Sequence, residues 1–173
     1  DYMHAGSPSY QHLLDLKEPL RLFVCVDNHP ARKAALALAD ERQQLHGLDK
    51  TVLVIAANEY STASADVYLP SWIGSPLDFR KRYPEVETET GGDPLHPPCT
   101  GEALVGQPQL ALSNSLGALC AAWLATVWSQ ELPALRGSEL YDAIEKRSPV
   151  SIQWTAAGQR TLSVQEVINA SRT

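Results

Sequence analysis

Leu20-Arg21-Leu22-Phe23-Val24-Cys25-Val26-Asp27-Asn28-His29-Pro30-Ala31-Arg32 is the stretch whose reading decides the fold. Leu22 to Val26 is a short, nearly unbroken apolar run, the pattern of a strand buried on both faces. Asp27 ends that run. Asn28 is a good N-cap, and Pro30 suits the first turn of a helix, where its missing N–H costs nothing. Ala31 to Gln44 then supplies Ala, Leu, Lys, Arg and Glu, all strong helix formers. The stretch reads as strand, sharp turn and helix, with a carboxylate at the strand's carboxyl end. In open α/β sheets ligands bind at that end. Asp27 has a purely local alternative, capping the helix and meeting the positive end of its dipole.

Upstream, Gly6-Ser7-Pro8-Ser9 is loop chemistry, and Tyr10 to Leu16 makes one or two helical turns. Downstream, His46-Gly47 ends the helix. Lys50 to Ala57 is a second buried strand, so strand, helix and strand form a unit with a parallel pair and a right-handed crossover. Asn58 to Thr62 is a polar break, and Ala65 to Leu69 alternates weakly as a third strand. Pro70 to Pro98 is irregular and rich in Pro and Gly. It is too long for an ordinary connection and reads as a functional or mobile loop. Gln107 to Leu132 is the longest helix; it is apolar nearly all round, as core or interface helices are. Its tryptophans read as core residues, and Cys120 as an inert buried thiol. Ser138 to Lys146 is a short helix. Val150 to Trp154 and Arg160 to Leu162 form a β-hairpin, and Ser163 with Glu166 opens a last helix with a capping box. The expected fold is α/β and Rossmann-like over a single domain, 1–173. It has a mostly parallel sheet with flanking helices, a long crossover loop and the terminal hairpin.

Composition narrows the function classes. The 173 residues suffice for one sizeable core. A formal net charge of -6 argues against nucleic acid or an anionic membrane as the main partner. No apolar run approaches the roughly 20 residues of a membrane-spanning helix. Cys25, Cys99 and Cys120 are widely spaced, with no CxxC pair and no zinc pattern, which suits a reducing, cytoplasmic setting. The sequence opens on Asp1, and the expectation is of a cut piece of a longer product.

Cys99 carries the most chemistry. It sits in His96-Pro97-Pro98-Cys99-Thr100-Gly101-Glu102, after the long loop and before the long helix. A thiol near a helix start is more acidic, and its thiolate is the reactive form. His96 could serve as its base or as a neighbouring cation. The alternative is a structural loop cysteine. His4, His12, His29 and His46 have no metal-ligand spacing. The chain has no GxGxxG loop, no GxxxxGK[ST] loop and no GxSxG nucleophile turn.

Two motifs in order resemble the ThiF/MoeB/HesA family, the ubiquitin-activating-enzyme superfamily. Asp27-Asn28-His29-Pro30-Ala31-Arg32 resembles its strand-end D-N-x-x-x-R segment, and Pro98-Cys99-Thr100 its P-x-C-T segment. Ala57-Asn58-Glu59-Tyr60-Ser61-Thr62-Ala63 sits where the family has a strand followed by G-N and T-G-Q. The resemblance spans about Leu20 to Leu132. It implies ATP-dependent adenylation of the C-terminal carboxylate of a ubiquitin-like or sulfur-carrier protein, followed in many members by transfer to a cysteine as a thioester. It further implies that Asp27 holds Mg²⁺ at the ATP phosphates, that Asn28 and Arg32 shape the nucleotide site, and that Cys99 accepts the acyl group. The segment from Pro70 to Pro98 would cross over the bound tail.

The family's N-terminal half carries a GxGGxG phosphate loop that this chain lacks. The resemblance therefore implies a partner, either an N-terminal fragment or a second subunit, in a homo- or heterodimer. Two other readings stand beside it. One is a non-catalytic ThiF-like interaction or dimerisation module. The other is a methyltransferase-type Rossmann domain in which Asp27 meets a ribose hydroxyl.

Overall fold

The computed structural model describes residues 6–26, 29–47, 50–58, 62–88, 111–128, 146–155 and 157–172, together with Glu139 and Ala143. Helix α1 (Pro8–Asp15) leads into strand β1 (Leu20–Val24), helix α2 (His29–His46), and strands β2 (Thr51–Asn58) and β3 (Ala63–Tyr68). A 3-10 turn (Pro70–Trp72) and two single-turn helices, α3 (Phe79–Arg82) and α4 (Glu85–Thr88), follow. Then come helix α5 (Ala111–Val127), strands β4 (Pro149–Thr155) and β5 (Gly158–Ser163), and helix α6 (Val164–Ala170).

The five strands form one sheet in chain order, β1-β2-β3-β4-β5. The fold class is α/β, but the sheet is mixed, and the mostly parallel, Rossmann-like sheet expected from the sequence is corrected here. Only β1 and β2 run parallel; β2–β3, β3–β4 and β4–β5 are antiparallel. Connection length is the reason. The 18-residue helix α2 carries the chain back to start β2 beside β1. Asn58 and Ala63 are four residues apart in the loop between them, far fewer than the dozen or so that a parallel crossover requires, so β3 must turn back.

Helices cover both faces of the sheet. Val52, Val54, Ala65, Val67, Val150 and Ile152 share a core with Ala121, Leu124, Ala125 and Trp128 of α5. Leu53, Ile55, Tyr68 and Val24 share the other core with Ala35, Leu36 and Ala39 of α2. Alternate residues of β2 and β3 thus serve opposite layers, as the two-residue period of a strand requires. Tyr10 and Leu14 of α1 close over Leu38 of α2. Trp128 meets Trp72 edge-to-face at 5.2 Å and donates its indole N–H to the Pro149 carbonyl at 2.7 Å.

β1 also departs from its sequence reading. It lies at an edge of the sheet and is buried on one face: Leu22 and Val24 pack under α2, while Phe23 is 49% exposed. The expected third strand, terminal hairpin and last helix are present, and Ser163 and Glu166 form the capping box. The helix after β1 ends at His46 with Gly47 at φ 89°, a left-handed position where glycine carries no Cβ penalty. Pro70 to Thr88 is folded rather than irregular, anchored by buried Trp72, Phe79 and Val86. The remainder of that loop lies outside the described residues, as does most of the helix expected over Ser138 to Lys146, of which Glu139, Ala143 and Lys146 are described and helical.

Candidate functional site

Among the described residues, sequence motif and fold meet at the parallel pair. Because β1 and β2 run the same way, in the register Val24 to Ile55, both carboxyl ends reach the same edge of the sheet. Helix α2 begins there, at His29. Arg32, in its first turn, donates from Nη2 to the carbonyl of Val26 at 2.9 Å. That bond ties the helix to the chain leaving β1. On the neighbouring strand Asn58, the last residue of β2, donates from Nδ2 to Oδ1 of Asn114 at 2.5 Å. Asn114 lies in the first turn of α5, so three elements converge on this edge.

Of the sequence-predicted site residues, Arg32 is described and sits at this edge. Asp27, Asn28 and Cys99, with His96, lie outside the described residues. Among the described residues no three His, Cys, Asp or Glu side chains gather as metal ligands. Cys25, just past β1, is exposed, and Cys120 of α5 is partly buried, which pushes its thiol pKa up and suits the inert role expected.

The α2-side layer holds a charged network that the sequence reading missed. Asp66 of β3 is 3% exposed. It accepts from Nη1 of Arg82 at 2.6 Å, and the Tyr83 hydroxyl lies 3.2 Å from both its oxygens. Burial pushes the Asp66 carboxyl pKa up, outweighing the Arg82 charge that pulls it down. Burial and the Asp66 charge push the Tyr83 phenol up to about 12. Alongside, Asp40 of α2 accepts from the Tyr68 hydroxyl at 2.6 Å and from Arg80 Nη2 at 2.5 Å. Burial raises Asp40 as well, against the Tyr68 hydrogen bond and the Arg80 charge. Glu87 continues the chain of charge, 3.2 Å from Arg80 and 2.9 Å from Lys33.

These carboxylates are saturated by guanidinium and phenol groups of the chain itself. Their effect is to clamp α3 and α4 onto α2 and β3. The signal was present in the sequence. Asp66 interrupts the apolar run Ala65 to Leu69, and a charge in a buried strand demands a partner. Arg80-Lys81-Arg82 supplies one a short distance downstream.

A separate recess is lined by Glu139, Ala143, Lys146, Arg147 and Gln165. No helix among the described residues is long and apolar enough to cross a membrane. The chain matches no protein-family model, no curated protein and no solved structure.

Proposed function

We propose that the chain is part of an ATP-dependent adenylating enzyme of the ThiF-like kind, acting in a reducing, cytoplasmic setting. Its substrate is the C-terminal carboxylate of a ubiquitin-like or sulfur-carrier protein. The observation that carries the reading is the parallel β1–α2–β2 unit. Its two strand ends and the start of α2 share one edge, the usual ligand edge of a Rossmann-like corner. The D-N-x-x-x-R segment spans the connection from β1 to α2.

Magnesium bound to a nucleotide is held by one or two carboxylates, with phosphate oxygens and water filling the remaining positions. Asp27, a single carboxylate after β1, fits that need without a dedicated protein cage. Bound there, the ion would neutralise charge on the departing phosphates. Arg32 contributes by holding the Val26 carbonyl and so tying the first turn of α2 to the chain leaving β1. Cys99 is the acyl acceptor. A second polypeptide, a dimer mate or an N-terminal fragment, supplies the glycine loop.

Calorimetric titration with Mg²⁺ and ATP tests the nucleotide half. With the polypeptide that supplies the glycine loop present, the wild-type complex should bind, and Asp27→Ala should lose binding at least tenfold with its circular dichroism spectrum unchanged; equal binding by both would remove the role of Asp27. The thiol half is read separately. With the completed enzyme and a carrier protein, wild type should form an adduct cleaved by dithiothreitol, and Cys99→Ser an adduct that resists it. Identical adducts from the two proteins would exclude Cys99.

The second reading, a non-catalytic interaction or dimerisation module, is favoured by one observation. On α5, Leu119 is 65% and Trp123 47% exposed, one turn apart on the side facing away from the sheet.

A further inference from the structure

Among the described residues, β1 has β2 as its one neighbour in the sheet. A strand residue sends its N–H and C=O to one side of the chain, and successive residues alternate sides. The Leu20 N–H donates to the Lys50 carbonyl at 2.7 Å, so Leu20, Leu22 and Val24 address β2. Arg21 and Phe23 therefore turn their backbone groups to the outer edge. Their side chains are exposed too. Phe23 stands in register with Val54, on the sheet face that α5 covers over β2, β3 and β4, yet it is 49% exposed.

This edge is complementary to itself. A two-fold axis through Leu22 lays β1 antiparallel on its own copy with all of Leu20–Val24 overlapped. Arg21 then lies opposite Phe23 of the second copy, and Phe23 opposite the second Arg21. These are the residues whose outward N–H and C=O groups are unused by β2, so each pair exchanges both backbone bonds. The two Leu22 residues form the closer, non-hydrogen-bonded pair at the axis. Pro19 shares the outward parity but has no N–H, and the ladder ends there. A charge on an edge strand ordinarily discourages pairing. In this register each guanidinium meets an aromatic ring, a favourable cross-strand and cation–π pair.

We propose that β1 is the contact through which two copies of this chain associate, joining their sheets edge to edge about Leu22. The contact involves neither nucleotide nor Cys99. Trp123 also lies outside it, on the side of α5 that faces away from the sheet.

Sedimentation equilibrium of the full chain, without nucleotide, tests the contact. The dimer should grow with concentration up to about 500 μM, as suits a small interface. Phe23→Arg, which sets a second guanidinium against Arg21, should weaken pairing at least tenfold with an unchanged unfolding midpoint. Adding Arg21→Glu to that variant should restore pairing, because each carboxylate then faces a guanidinium. Trp123→Lys should leave it intact. A chain that stays monomeric throughout overturns the proposal, as does undiminished pairing by Phe23→Arg or a double variant that pairs no better than Phe23→Arg alone. Loss of pairing in Trp123→Lys would overturn it as well and assign the contact to α5.

Discussion

Arg42 is fully buried, and its guanidinium does the work of a helix cap. Nη1 donates to the carbonyls of Leu13 and Leu16, Nη2 to that of Glu18, and Nε to the Thr51 hydroxyl. The Leu13 and Leu16 carbonyls lie at the end of α1, where the helix supplies no partner, and that of Glu18 lies in the segment leading to β1. Arg42→Met keeps the volume and abandons the acceptors, each costing about 1–3 kcal/mol if left buried and unpaired. We expect a loss of at least about 3 kcal/mol in urea unfolding; a loss under about 1 kcal/mol would show that water replaces the guanidinium. The sequence held a clue. Ala35, Leu38, Ala39 and Arg42 recur at the helical period on one stripe, so Arg42 had to face inward. Its carbonyl acceptors were not legible, because they come from residues 24 to 29 positions away. Asp66 makes a prediction of pH dependence. Its folded pKa lies above the ordinary carboxylate value of 3.8, so the folded chain binds the proton more tightly than the unfolded chain. The stability Asp66 contributes is complete below 3.8 and is lost as pH rises through the folded value. The stability difference between wild type and Asp66→Asn should therefore narrow from pH 3 upward. A difference that widens with pH would show that the Arg82 attraction outweighs burial.

At the scale of elements, what could be read was local and what could not was strand direction. The apolar runs, the Pro30 helix start and the Ser163 capping box are short-range signals; the helix start and the capping box appear where the sequence puts them, while β1 ends at Val24 rather than Val26 and β3 begins at Ala63 rather than Ala65. Whether β3 runs with β2 or against it depends on the span of the connection, and four residues settle that more firmly than any periodicity. β1 was misjudged for a related reason. A continuous apolar run says that both faces can be covered, not that both are, and Phe23 is left exposed at the sheet edge. Helix α5 allows a direct test of packing. Gly117 sits mid-helix with no left-handed torsion, and a methyl group there would meet its neighbours at ordinary van der Waals distance. Alanine is favoured over glycine inside a helix by about 1 kcal/mol. Gly117→Ala should therefore raise stability by about 0.5–1 kcal/mol. A clear loss would mean that α5 lies closer to the β2–β3 turn than 3.9 Å allows.

For the molecule as a whole, the outer side of α5 decides between a chain that works alone and one that pairs. Residues 111–128 contain no charged side chain, although the chain carries a net charge of -6. The helix spends one apolar stripe, Ala121, Leu124, Ala125 and Trp128, on the sheet. Leu119 and Trp123 form a second stripe in solvent, with Leu116, Cys120 and Val127 partly buried beside it. The all-round apolarity of Gln107 to Leu132 announced both stripes, but the tryptophans divide. Trp128 is core, as expected, whereas Trp123 is half exposed. Tryptophan on an accessible apolar stripe is the residue type that most often anchors a protein interface. If that stripe joins two copies, light scattering should give twice the chain mass of 18.9 kDa, and Trp123→Lys should return a single chain with its unfolding midpoint intact. The lysine would place an unpaired charge in the middle of the contact in each copy, a cost that pairing through this helix cannot absorb. A wild-type chain that scatters as a monomer at 100 μM would rule out pairing of copies through α5 at that concentration. A dimer that survives Trp123→Lys would move the interface to another surface, with the exposed edge of β1 the next to be tested by substituting Phe23.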